Sequence, residues 1–443
     1  MFSYYLRLAW LSFKGSPVMS SLMVMAIAVG VGVAMSTLTL QYVMSSNALA
    51  DKNDQLYYVQ LDVRPVDNDG DRRTRNGLPD QLAYPDAEGL LQSDIPTYQV
   101  AMHQWGGTIT SPNPDIRPAL ISLRVTTRDF FALFDVPLLQ GSTWDKSADT
   151  QGQYQVVLGK RTSQQMFGDT NPVGQSVEIN GHPYQVVGVA ADFEPAPSVQ
   201  DLTVGSFGGN ADAYVPFGLH RPLSLMPWGN TSCMGGGNDE GRPEGYEGML
   251  QSNCIWLQYW VQLDSPEQKA RYQQFLANYY QDQKKQGRFE RDHGEALSTP
   301  AQWLYQNRVV GNDTQLLTWL AFAFLLVCII NTIALLLAKF LRMAPQAGVR
   351  RALGASRGAV FTQHLIESGL VGAIGGVLGI GLALLGLVAI RQLVAPSMAA
   401  IVHMDPLMIC VTAGLALVAS LLAGVYPAWR ISSTTPAYYL KTQ

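Results

Sequence analysis

Four apolar runs, unevenly spaced, constrain this chain more than any other feature. One covers residues 18–43, and three more cover 316–338, 360–390 and 407–425. A bilayer core takes about 20 consecutive apolar residues per helix, and each run is long enough. Between the first run and the second lie about 270 residues with the mixed composition of a water-soluble domain. The pattern predicts an integral membrane α-helical protein with four transmembrane helices and a large extracytoplasmic α+β domain between helices one and two. The expected divisions are 1–50, 51–312 and 313–443.

Charge orients the chain. Residues 1–50 contain no Asp or Glu, while Arg7 and Lys14 precede the first run. The segment between runs two and three carries Lys339, Arg342, Arg350, Arg351 and Arg357, and the tail carries Arg430 and Lys441. Positive charge near helix ends marks the cytoplasmic side. The large domain and the short loop 392–404 are therefore expected outside. Residues 1–50 and 316–443 hold ten Lys/Arg against Glu367 and Asp405, so the net charge of −4 leaves about −12 on the domain. Nucleic acid is not an expected partner, because such binding favours basic surfaces.

A cleaved signal peptide is the rival reading of run one, and Ala48-Leu49-Ala50 resembles a cleavage site. The run is far longer than the roughly 7–15 apolar residues of a signal core, so an uncleaved helix is expected. Cys328 and Cys410 fall inside apolar runs, where a thiol packs as a small apolar group. Cys233 and Cys254 fall in the external domain, where an oxidising compartment allows them to pair. The bridge would close a loop of about 20 residues and stabilise by about 3 kcal/mol on the loop-entropy model; two unpaired thiols are the alternative.

Within the domain, 154–158 reads as a buried strand and 161–167 as a short helix ending near Gly168. Residues 176–179 and 184–189, joined by Asn180-Gly181, read as a hairpin. Residues 255–263 alternate like a strand, and 266–283 read as a helix with Phe275, Leu276 and Tyr279 on one face. Two lobes are expected, with the Gly/Pro-rich stretch 195–248 as an insertion of little regular structure. Asp67-Asn68-Asp69-Gly70-Asp71 falls short of a calcium loop: Gly70 comes too early and Leu78 holds the twelfth position. No GxxxxGK[ST] phosphate loop, HExxH or GxSxG motif is present. The six histidines are scattered, so no metal and no catalytic residue are expected.

Run three is dense in glycine. Gly372/Gly376 and Gly375/Gly379 form two small-xxx-small pairs, a spacing that lets helices approach closely in lipid, within a protomer or between protomers. Glu367 and His364 sit near the cytoplasmic start of that run and Asn331 lies inside run two, too few ionisable groups for an ion relay. Between runs two and three, 349–353 reads as a brief cationic helix stopped by Gly354, suited to a partner or to anionic lipid.

Gly348-Val349-Arg350-Arg351-Ala352-Leu353-Gly354-Ala355, then His364-Leu365-Ile366-Glu367-Ser368 and the glycine-rich helix, resemble the C-terminal module of FtsX-like permeases. Gly424-Val425-Tyr426-Pro427-Ala428-Trp429-Arg430 and Pro436-Ala437 are similar to that module's end. In the domain, Thr127-Arg128-Asp129-Phe130-Phe131, Asn171-Pro172-Val173-Gly174, Ile179-Asn180-Gly181, Val186-Val187-Gly188-Val189 and Ala213-Tyr214-Val215-Pro216 resemble MacB-type exporters. The resemblance covers nearly the whole chain. It implies a dimeric ABC transporter permease of a bacterial inner membrane, without enzymatic activity of its own. Its segment 348–355 would couple to a separate cytoplasmic ATPase that carries the ATP and magnesium. ATP-driven motion would reach the periplasmic domain and act on a periplasmic substrate such as a peptide or drug, alongside a periplasmic adaptor and an outer-membrane channel. Release of lipoproteins and signalling to a cell-wall hydrolase are the alternatives. Two features depart from the family: Pro345-Gln346-Ala347 replaces the usual Arg-Glu-Ile, which suggests a heterodimer with a second permease, and the Gly-rich stretch 195–248 with its cysteine pair is not matched to the family as a whole.

Overall fold

The computed structural model describes residues 2–45, 49–66, 74–208, 211–233, 244–309, 312–393 and 406–433. The acidic stretch Asp67–Asp71, most of the external loop 392–404 and Pro436-Ala437 lie outside them. The chain divides into two compact units, one made of 1–44 with 310–443 and the other of 45–309.

The 45–309 unit is built on a mixed sheet. Its strands are β1 (Leu56–Leu61), β2 (Leu82–Ala83), β3 (Tyr98–Thr110), β4 (Ala119–Thr126), β5 (Leu138–Gly141), β6 (Gln155–Gly159), β7 (Ser176–Ile179), β8 (His182–Ala190), β9 (Ala213–Pro216), β10 (Ile255–Gln262) and β11 (Glu295–Ser298). The order across the sheet is β11-β1-β10-β3-β4-β9-β6-β8-β5, with β2 on β10 and β7 on both β3 and β8. Side chains alternate between two cores. Tyr57, Val59 and Leu61 enter one, and Leu56 and Tyr58 enter the other. Helices fill both faces: Tyr272, Leu276 and Tyr280 of the helix Pro266–Lys285 on one side, and Phe130, Phe131 and Trp303 on the other. This double cover explains why 255–263, whose residue types alternate, is buried along the whole of β10.

Several local features follow from the residues. The 176–190 hairpin turns at Asn180 and Gly181, both at positive φ (48° and 82°), as a tight two-residue turn between twisted strands requires. Ser265 caps Pro266–Lys285 by accepting a hydrogen bond from the Gln268 amide at 3.1 Å. The buried stripe of that helix is Tyr272, Leu276 and Tyr280. Phe275 and Tyr279, expected on the same face as Leu276, only flank it.

The stretch 195–248 is not an irregular insertion. It contains β9, which runs parallel to β4 and antiparallel to β6 and so joins the two halves of the sheet. The two expected lobes are therefore ends of one continuous sheet. Asp201, from the same stretch, forms a buried ion pair with Arg124 of β4. Ser232 and Ile255 exchange backbone hydrogen bonds of 3.1 and 2.9 Å, which brings Cys233 alongside Cys254, and the two are disulfide-bonded.

Arg124 and Asp201 are 2% and 0% exposed, so removing one partner leaves a buried charge unpaired. Arg124→Ala is expected to cost the 45–309 unit about 3–5 kcal/mol, measured by urea unfolding followed through tryptophan fluorescence. A loss below about 1 kcal/mol, the scale of an exposed pair, would refute the role given to this pair.

Candidate coupling site

Among the described residues the membrane unit contains five helices. To place them in chain order, the helices are α1 (Phe2–Gly15), α2 (Pro17–Ser45), α3 (Tyr84–Leu90), α4 (Phe130–Leu133), α5 (Lys146–Gln151), α6 (Lys160–Phe167), α7 (Gly245–Gln251), α8 (Pro266–Lys285), α9 (Pro300–Gln306), α10 (Asn312–Ala352), α11 (Arg357–Leu393) and α12 (Pro406–Ser433). Four of them are long and apolar enough to span a bilayer: α2, α10, α11 and α12. α2 is the most buried of the four, with Ile27, Ala28, Val31 and Ala34 wholly enclosed. Such burial is that of an integral packing element.

The cationic segment between runs two and three differs from the brief separate helix expected. α10 runs unbroken for 41 residues, through Pro345 to Ala352. Residues 349–352 are its last turn. The stop is chemical: the Gly354 amide bonds the Arg351 carbonyl at 3.1 Å and the Ala355 amide bonds the Arg350 carbonyl at 3.0 Å. This closing pattern needs a left-handed residue at Gly354, whose φ is +104°. Ser356 then caps α11 by accepting from the Ala359 amide at 3.1 Å. Leu353-Gly354-Ala355-Ser356 is thus the turn of a helical hairpin. Arg350 donates to Gln363 of α11 at 2.7 Å, and Arg351 donates to the Ser432 carbonyl of α12 at 3.3 Å.

Above this turn lies a buried polar cluster. Lys339 of α10 and Glu367 of α11 pair at 2.7 Å, each 2% exposed. Ser12 of α1 donates to the same Glu367 oxygen, and Lys339 also donates to Ser20 of α2 at 3.1 Å. His364 lies 3.4 Å from the other carboxylate oxygen and packs against Phe340 with ring centres 4.2 Å apart. The sequence singled out Glu367 and His364 but counted Lys339 only as a topological charge. It missed α1 altogether, although Tyr4, Tyr5, Trp10 and Phe13 among Arg7 and Lys14 are an amphipathic signature. Asn331 is exposed on α10.

The two glycine pairs of α11 serve different neighbours. A Cβ on Gly372 would sit 1.9 Å from Ser420 Oγ and 3.0 Å from the Ala416 carbonyl, and one on Gly376 would sit 3.0 Å from Ala416 Cβ, both on α12. Gly375 and Gly379 face α2, at Ile27 and at the Ala28 carbonyl. All four contacts lie within one chain.

A cavity of about 520 Å³ opens between α1, α10 and α11, with Lys339, Arg342, Arg350 and His364 in its wall. In the 45–309 unit a cleft of about 730 Å³ is lined by Glu88, Asp129, Asp149, Arg221 and His220. Burial pushes the Asp149 carboxyl up to about 6 and holds His220 down at about 4. Among the described residues no group of His, Cys, Asp and Glu is placed to hold a metal.

Among the described residues, four helices long and apolar enough to span a bilayer, with an α/β domain inserted in sequence after the first, define an integral membrane protein. The MacB-like periplasmic core domain matches residues 20–278, and the FtsX-like permease C-terminal domain matches 319–436. The chain belongs to this MacB-like, FtsX-like family of ABC transporter permeases. It is 25% identical over 334 residues to the macrolide export ATP-binding/permease protein MacB of Vibrio parahaemolyticus, which covers 73% of this chain and 43% of that one. It is 25% identical over 319 residues to the pyoverdine export ATP-binding/permease protein PvdT of Pseudomonas aeruginosa, covering 71% and 41%. The chain therefore spans less than half the length of these relatives. The crystal structure of the periplasmic region of MacB from Actinobacillus actinomycetemcomitans aligns over 58% of this chain and 94% of its own, at 14% identity and a TM-score of 0.35.

Two outcomes test this geometry. Lys339→Met strands Glu367 and should lower stability by about 3–5 kcal/mol, while Lys339→Met with Glu367→Met should recover most of it. Thermal melting in detergent reads both, and an equally unstable double variant would contradict the pairing. In the external domain, a neutral His220 favours the fold above its ordinary value of 6.5, and this contribution is lost as pH falls through about 4. Asp149 acts in the opposite sense, since its raised value favours the fold at low pH and is lost as pH rises through about 6. His220→Phe should therefore flatten the acid-side fall in melting temperature; an unchanged profile would assign that fall elsewhere.

Proposed function

We propose that this chain is the non-catalytic permease subunit of an ABC exporter of a bacterial inner membrane. A separate cytoplasmic ATPase binds ATP and magnesium, and the permease converts its motion into work on a periplasmic substrate such as a peptide or drug. The observation that carries this reading is the continuity of α10. It begins three residues after Val309, the last residue of the 45–309 unit, and ends at the cationic tip Gly348–Ala355. At 1.5 Å per residue, its 41 residues make a rod about 60 Å long.

In this mechanism the ATPase grips the tip, where Gly348, Val349, Arg350, Arg351, Ala352, Leu353, Gly354 and Ala355 lie. The Lys339–Glu367 clamp passes the displacement to α11 and α1. The α2 and α10 helices, which flank the external unit in sequence, carry it outward. A second permease, either another copy or a paralogue, completes the membrane assembly. Leu316, Leu320, Phe324 and Val327 leave a long apolar face of α10 uncovered for lipid or for that subunit. A periplasmic adaptor and an outer-membrane channel receive the substrate. Similarity to chains named as macrolide and pyoverdine exporters supports export over lipoprotein release or signalling to a cell-wall hydrolase.

Arg350→Glu with Arg351→Glu should abolish stimulation of the ATPase by the permease while leaving the melting temperature within a few degrees of wild type. The assay is ATP hydrolysis by the complex recovered with the tagged permease from its native membranes. Undiminished stimulation would remove the coupling role from this segment, and recovery without any ATPase would overturn the mechanism.

A further inference from the structure

The 520 Å³ cavity between α1, α10 and α11 has a lining that the coupling role does not explain. Arg342, Gln346 and Arg350 stand at i, i+4 and i+8 on one face of α10 and all reach its wall. No carboxylate is among its lining residues. Lys339 is neutralised by Glu367, but Arg350 meets only the neutral amide of Gln363, and Arg342 has no hydrogen-bond or ion-pair partner among the described residues. The cavity therefore holds two guanidinium charges without a counter-ion. The rest of its wall mixes the apolar Leu8, Leu11, Met19, Met343 and Val360 with the polar Ser12, Ser16, Gln363 and His364.

Its position adds a second constraint. α1 exposes Tyr4, Leu6, Trp10 and Leu11 and carries Arg7 and Lys14 without an acid. That is the make-up of a helix lying in the headgroup region of a membrane, with aromatic rings at the interface and cations toward anionic lipid. A volume of about 520 Å³ is on the scale of a small-molecule site. A ligand for such a place is amphiphilic, with a phosphate for the guanidinium pair and an acyl chain for the leucine and methionine wall.

We propose that this cavity is a binding site for the phosphate headgroup of an anionic phospholipid from the cytoplasmic leaflet. The lipid bridges α1 to the cytoplasmic end of α10, so occupancy stiffens the segment through which the ATPase acts. The proposal needs the membrane orientation of the helices but not the export reading, and its test involves no ATP.

The test is native mass spectrometry of the full chain in a neutral detergent, titrated separately with dioleoylphosphatidylglycerol, dioleoylphosphatidylcholine and glycerol 3-phosphate. Wild type should retain one phosphatidylglycerol at least about tenfold more tightly than phosphatidylcholine, the scale of one charge-assisted contact. Arg342→Gln with Arg350→Gln should erase that preference. Gly15→Phe is the second variant, since a Cβ on Gly15, which lines the cavity, meets no atom within 4 Å. It should also lose the bound lipid, although every cation is kept. Melting temperatures near wild type establish that the variants fold. Equal retention of the two lipids, or phosphatidylglycerol retained undiminished by both variants, would overturn the proposal. Glycerol 3-phosphate competing as well as the lipid would assign the site to a soluble phosphate and overturn the lipid assignment.

Discussion

The membrane unit depends on one ion pair, Lys339 with Glu367. Neither charge tolerates apolar surroundings alone, and each is 2% exposed. Their pairing fixes α10 against α11 at one register. Ser12 adds α1 to the carboxylate and Ser20 adds α2 to the ammonium, so four helices share one polar centre. A sliding movement of α10 past α11 would break that centre, whereas a concerted tilt would preserve it. Under the proposed mechanism, the cluster would favour rigid-body motion as the mode by which a push at the cytoplasmic end travels through the bilayer.

Around that centre the packing is made close by small residues. Helices in lipid gain little from excluding water, so contact depends on fit. α11 meets α12 through Gly372 and Gly376, and α2 through Gly375 and Gly379. α12 answers with a small residue of its own: a Cβ on Gly424 would lie 2.0 Å from Ser368 Oγ. Each of these seams resists separation because widening one forfeits contacts along several turns. α11 thus forms a spine to which α2 is fastened on one face and α12 on the other.

What could be read in advance depended on whether the signal was local. Apolar runs betray membrane helices because the solvent itself imposes the pattern. The ends of α10 were misjudged for the same reason. Hydropathy falls after Ala338, but Lys339, Leu341, Arg342, Met343, Ala344, Gln346 and Ala347 are good helix formers, and the backbone continues where the bilayer does not. The Asn180-Gly181 turn was legible because its backbone angles leave few other residues. β9 was not, since four residues ending in Pro216 carry little periodicity, and its place beside β4 and β6 is decided by tertiary contacts. Lys339 and Glu367 lie on different helices, so only the fold reveals that one charge answers the other. The Arg342–Arg350 face was visible as positive charge, but its cavity exists only once α1 closes over it.

The departure at Pro345 acquires a physical meaning from its position. Proline has no amide hydrogen, so the Leu341 carbonyl loses its ordinary partner one turn back along α10. Hydrophobic contacts at Ala344 and Ala347 hold the helix to its neighbours on the buried side, while Pro345 itself is exposed. The weakened step falls after the Lys339–Glu367 clamp and before Arg350 and Arg351. Under the proposed mechanism, a force on the tip would meet first a segment able to flex, then a clamp unable to slip. In that order a helix can accommodate the shape of the surface that pushes it and still transmit the push, because compliance is confined to the turns beyond the clamp and the register within the membrane stays fixed.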